Sequence, residues 1–187
     1  MNGKYFFTIG SFEKDGYQSS HLDSAQYIGR VKTKNKYLCF LQLLGTTLVE
    51  KKTLNKKLDL EFFKKYSDYI IGDLYYIEDI ENIKKLDELH SIEYNVSYKK
   101  NIKVVFQDIK LKKKNNKELE SFTYFYNTNN LETELLNVSK DTINEYTEEM
   151  KISAKETLIM LDMHKGDDTK EEWFKKLEKM KENSKNE

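Results

Sequence analysis

Hydrophobic and polar positions divide the chain into a strand-rich part and a helical part. A short apolar run at residues 5–9 stops at Gly10-Ser11, which predicts a strand feeding a turn. Residues 12–24 are polar, contain Gly16 and several serines, and predict a loop. Strand-like runs follow at residues 25–31 and 37–43, Gly45 breaks the second, and residues 46–49 begin another. Residues 58–66 read as a short helix or an inserted excursion. Asp68–Ile77 predicts a strong strand, with Gly72 marking a bulge or a close backbone approach. A helix is predicted over residues 79–90, because Ile80, Ile83 and Leu86 recur every three residues and Asp79 can cap the first turn. Residues 94–98 and 102–108 alternate as strands, and residues 121–126 form an aromatic one.

Beyond residue 127 the pattern changes. Helical spacing covers residues 131–150 and 152–164. A capping box at Thr169-Lys-Glu-Glu172 opens a last helix with Trp173, Phe174, Leu177 and Met180 on one side. The predicted organisation is thus a strand-dominated domain, residues 1–127, and a C-terminal helical extension, residues 128–187. Too few helices alternate with strands for a doubly wound sheet. The expected fold class is α+β, a small curled or closed barrel of six to seven strands packing one central helix.

Composition narrows the function. Lys+Arg and Asp+Glu both number 32 in 187 residues, so the formal net charge is zero. No global attraction to nucleic acid or to an anionic membrane is expected. The basic run Lys110, Lys112, Lys113, Lys114 and Lys117 is flanked by asparagines and reads as a solvated loop tip. No stretch approaches the roughly 18 apolar residues of a membrane span, and the amino terminus carries no signal-like segment, so a cytoplasmic protein is expected. The single Cys39, set among Leu38, Phe40 and Leu41, reads as a buried small hydrophobe. His21 and His164 read as surface residues. Three scattered histidines make no metal site.

Five segments, in order, resemble the gamma-glutamylcyclotransferase-like superfamily, in particular its avirulence-induced-gene-like and gamma-glutamylaminecyclotransferase branch. They are Tyr5-Phe-Phe-Thr-Ile-Gly-Ser-Phe12, His21-Leu22 with Tyr27-Ile-Gly29, Gly72-Asp-Leu-Tyr-Tyr-Ile77, Leu86-Asp-Glu-Leu89, and Phe122-Thr-Tyr-Phe-Tyr-Asn127. The resemblance spans residues 5–127. It implies a small closed barrel, a γ-glutamyl small molecule as ligand, and a reaction without a cofactor. In that reaction the α-amine of a γ-glutamyl group attacks its own γ-amide carbonyl, closing 5-oxoproline and expelling an amine. One carboxyl group with a raised pKa serves as base and then as acid. By carry-over the substrate-binding loop is Ile9, Gly10, Ser11 and Phe12.

The family's catalytic glutamate closes the motif that here reads Leu86-Asp-Glu-Leu-His90, so the acid/base position is histidine. At about 100° per residue His90 falls between Ile83 and Leu86 on the inward face, and Glu88 points about 160° away. Glu93 would lie about 60° from His90 if the helix continued, which makes it the candidate replacement carboxylate. Ile9 also departs from the family, which has tyrosine there. Three roles are open to His90: base and acid of an altered enzyme, binding residue of a pocket that has lost its reaction, or a core-edge histidine. Two functions follow. One is a gamma-glutamyl(amine) cyclotransferase; the other is an inactive member acting as a small-molecule-binding or protein-interaction module. The stripe of Trp173, Phe174 and Leu177 must be buried against the barrel, a partner protein or a second copy.

Overall fold

A computed structural model of the protein describes residues 3–42, 45–53, 60–90, 92–94, 96–106, 118–127 and 142–163. Six strands occur among them: β1 (Lys4–Thr8), β2 (Gln26–Gln42), β3 (Gly45–Val49), β4 (Asp68–Ile77), β5 (Ser97–Phe106) and β6 (Glu118–Tyr126). The helices are α1 (Leu60–Tyr66), α2 (Ile80–Leu89) and α3 (Glu148–Met163). The sheet order is β3-β2-β4-β1-β6-β5, and β2 also pairs with β5. Strands β2, β4, β1, β6 and β5 therefore close into a five-stranded barrel, with β3 extending from β2 as an extra strand. Closure pairs both edges that the five barrel strands would otherwise present, leaving β3 as the outer strand. Only β1 and β6 pair in parallel; the other pairings are antiparallel.

The barrel matches the sequence-based fold class, with several element boundaries that differ. The predicted runs at 25–31 and 37–43 fall largely within one 17-residue strand, β2, which covers residues 26–42 without a break. The polar Lys32–Lys36 stretch between them contains neither Gly nor Pro, and the chain passes it with a register shift against β4 rather than a turn. Of the runs predicted at 94–98 and 102–108, residues 97–98 and 102–106 likewise belong to the single strand β5. Gly72 has the close approach expected of it: a Cβ there would lie 2.2 Å from the Thr8 carbonyl oxygen. Asp79 caps α2, its Oδ1 accepting the Glu81 N–H at 2.9 Å.

Phe7, Val31, Ile70, Leu74, Val104 and Phe125 fill the barrel interior and are fully buried. A second cluster, with Phe6, Phe12, Ile83, Leu86, Phe122 and Tyr124, seats α2 on the barrel. Helix α2 buries Ile83 and Leu86 and exposes Glu88, as its wheel requires. Residues 142–146, expected to be helical, instead form an extended strap. Thr142 bridges to Phe40, Glu145 bridges to Ile71, and Tyr146 joins the barrel core at 2% exposure. Helix starts only at Glu148, where the strap's backbone bonds to Cys39 and Ile71 have ended. The lysine-rich run, His164 and the Trp173 stripe lie outside the described residues.

Candidate ligand cavity

A cavity of about 370 Å³ opens where the loop after β1 meets β3 and the end of α2. Ile9, Ser11 and Phe12 line it on one side, as expected of the binding loop, and Tyr17 and Gln18 continue that wall. Gly10 turns the chain between them. Its φ of +90° is a conformation that glycine adopts at little cost, and a Cβ there would lie 2.7 Å from Thr46 Oγ1. Thr46 Oγ1 donates to the Ile9 carbonyl at 3.0 Å, and Ser11 Oγ donates to Gln18 Oε1 at 2.6 Å. The loop is thus fixed both to β3 and to itself.

His90 also lines the cavity, as the C-cap of α2. Its ring stacks on Tyr124 at 3.9 Å and 14°, and lies 5.3 Å from Phe12. Tyr124 donates its hydroxyl to Asp87 Oδ1 at 2.6 Å, and Lys99 pairs with Asp87 Oδ2 at 2.6 Å. Asp87, one turn before His90, therefore orients the ring on which His90 rests. Burial pushes the imidazole down to about 4, with Asp87 opposing only in part. His90 is neutral at neutral pH. Its Nε2 is buried and has no hydrogen-bond partner.

Glu93 does not share this wall. Helix α2 ends at Leu89, so the geometry that would bring Glu93 beside His90 is absent. Glu93 lies in the following turn, is exposed, and is not among the residues lining the cavity. The lining is otherwise neutral: Thr8, Thr47, Ser97 and Thr123 supply hydroxyls and Gln42 an amide, and no carboxylate occurs among the described lining residues. Tyr124 serves both core packing and the cavity wall.

A second polar group, absent from the sequence-based expectations, lies behind the loop. Glu13 is fully buried, with Oε2 3.1 Å from Arg30 and 3.4 Å from Lys151 Nζ. Burial pushes its carboxyl up to about 7; Arg30 and Lys151 oppose the shift, and Asp73 adds to it. Arg30 also pairs with Asp73 at 3.2 Å and Glu145 at 2.9 Å. The usable signal was a charge inside a strand: Arg30 and Asp73 interrupt otherwise apolar runs, and buried charges are kept only when paired. Among the described residues no group of three or more His, Cys, Asp or Glu side chains is arranged to hold a metal. Among them, too, no helix is long and apolar enough to cross a membrane.

Solved structures share this architecture. An AIG2-like protein from Mus musculus superposes with a TM-score of 0.56 at 15% identity, over 79% of this chain and 90% of that one. A structure described as gamma-glutamyl cyclotransferase superposes with a TM-score of 0.52 at 16% identity, over 91% of this chain and 95% of that one. This chain has the gamma-glutamylcyclotransferase-like fold. Identity this low speaks for the fold alone. No protein-family model and no curated protein matches the sequence. Within the gamma-glutamylcyclotransferase-like barrel, the cavity sits between the loop after the first strand and the end of the central helix, and His90 lines it there.

Proposed function

We propose that the protein binds a γ-glutamyl-type small molecule in this cavity and does not convert it efficiently to 5-oxoproline. The observation that carries this reading is the state of His90. A base with a pKa of about 4 is poorly matched to deprotonating an α-ammonium group, and general acid–base catalysis works best with pKa values near the working pH. The cavity's hydroxyls and amide suit recognition of a compact polar ligand, and the Phe12–His90–Tyr124 rings supply an apolar wall. With one cysteine, Cys39, the sequence can form no internal disulfide, which fits a reducing cytoplasmic setting.

Cyclotransfer is the second reading, and His90 Nε2 favours it. That atom is buried beside the cavity without a partner, so a substrate's amine would reach it once the surrounding side chains give way, and a substrate carboxylate bound nearby would raise the imidazole pKa. The test is to titrate purified protein calorimetrically with γ-glutamyl-ε-lysine and glutathione while quantifying 5-oxoproline by mass spectrometry, with His90→Glu in parallel. Binding by wild type without turnover, and turnover gained by His90→Glu, is the expected result. Robust 5-oxoproline release by wild type establishes cyclotransfer instead. Neither binding nor turnover in either protein sinks both readings.

A further inference from the structure

We propose that helix α3 supports the ligand site from outside it, with Lys151 a positioning residue that clamps the binding loop from behind through Glu13 and the Lys14 carbonyl. The proposal rests on the ligand cavity assigned above, and the clamp itself is defined by contacts alone.

Lys151 is an unusual lysine, only 5% exposed on a helix whose neighbouring positions face solvent. Buried lysines are retained only where they are paired. Its Nζ donates to the Lys14 carbonyl at 2.9 Å and to Glu148 Oε1 at 2.8 Å, and lies 3.4 Å from Glu13 Oε2. The same Lys14 residue is held from the barrel side, its N–H donating to Asp73 Oδ2 at 2.8 Å. One loop residue is thus gripped between β4 and α3.

That grip reaches the cavity through short turns. The Glu13 N–H donates to the Gly10 carbonyl at 3.0 Å, and the Gln18 N–H donates to the Ser11 carbonyl at 3.0 Å. Ser11, Phe12, Tyr17 and Gln18 line the cavity, so a shift at residues 13–14 moves both ends of that wall. Charge balance depends on the same contact. Without Lys151, the buried Glu13 and Asp73 would both lean on Arg30, which also serves Glu145. Glu13 can answer the loss of Lys151 by keeping its proton, but the Lys14 carbonyl then still lacks its donor, and opening the loop to water satisfies it.

The test uses the full chain with Lys151→Met, Lys151→Arg and the double variant Glu13→Gln/Lys151→Met. Amide hydrogen exchange of residues 10–18 is compared with that of β1, β4 and β6, and affinity is measured for γ-glutamyl-ε-lysine. The expected result is loop exchange at least about tenfold faster in Lys151→Met, barrel exchange unchanged, affinity weakened about tenfold, and recovery in Lys151→Arg. If Lys151→Met does not fold, the double variant decides: it removes both charges and still leaves the Lys14 carbonyl without its donor, so selective loop acceleration is expected to persist there at a smaller size. Wild-type loop exchange in the variants, or acceleration spread evenly over the barrel, overturns the clamp. A wild type that binds no γ-glutamyl probe overturns the ligand reading instead, while the exchange comparison still decides the clamp.

Discussion

The His90 imidazole lies 3.9 Å from the Tyr124 ring, centroid to centroid, and only 14° from parallel with it. The hydroxyl of Tyr124 is tied to Asp87, three residues before His90, so one helix end supplies both the stacked ring and the group that orients its platform. The stack keeps water from the imidazole, and lost hydration disfavours its charged form. Wild-type His90 is therefore expected to titrate near 4, read from imidazole NMR shifts across pH. In Tyr124→Ala, water gains access and the midpoint should rise by about one unit or more toward 6.5. A wild-type midpoint between 6 and 7 would contradict the burial argument.

Gly10 makes a separate demand. Alanine there meets an unfavourable φ of +90° and a steric conflict with Thr46 at 2.7 Å. Backbone strain of this kind costs about 1–3 kcal/mol. Because the loop rather than the barrel carries the strain, Gly10→Ala should weaken γ-glutamyl-ε-lysine binding by about tenfold or more, with a smaller loss in thermal stability. Equal affinity in calorimetry would show that the loop does not shape the ligand site.

The Cys39 thiol should be inert. It is 1% exposed in the barrel core, and burial pushes it up to about 12. A thiolate-selective reagent should modify it only at the rate of global unfolding, which mass spectrometry over a denaturant series measures. Rapid labelling of the native protein would mean that the strands around it open locally.

What the sequence made legible follows from where its signals are local. Gly72, the Asp79 cap and the inward face of α2 were readable because each depends on neighbours in the chain. Ile9, Ser11, Phe12 and His90 were readable through the spacing of the family motifs, and the fold brings all four to one cavity. Glu13 was hidden in a stretch that reads as an ordinary polar loop. Its burial depends on Lys151, 138 positions away, and on Arg30 in another strand, which no periodicity links. Glu93 illustrates the converse: a wheel extended past Leu89 placed it beside His90, but the helix stops there. The strap at residues 142–146 has helical spacing yet runs extended, because tertiary pairing with Phe40 and Ile71 overrides a local preference.

Glu13 and His90 give opposite signs to the pH dependence of stability. Glu13 is raised from 4.5 to about 7, so the native state holds its proton more tightly than the unfolded chain. Its contribution is fully present below 4.5 and is lost as pH rises through about 7. His90 is lowered from 6.5 to about 4, so its contribution is fully present above 6.5 and is lost as pH falls through about 4. Each shift corresponds to about 3 kcal/mol at 1.36 kcal/mol per unit. Between about 4.5 and 6.5 the unfolded chain carries a proton on His90 where the native protein carries one on Glu13, and the two slopes nearly cancel. Glu13→Gln removes the falling slope, so its stability, relative to wild type, should increase with pH across that window by roughly 2–3 kcal/mol. His90→Gln should show the reverse. Urea denaturation of wild type and both variants at half-unit pH steps measures this directly. Parallel curves for all three proteins would mean that neither group is perturbed as its burial requires.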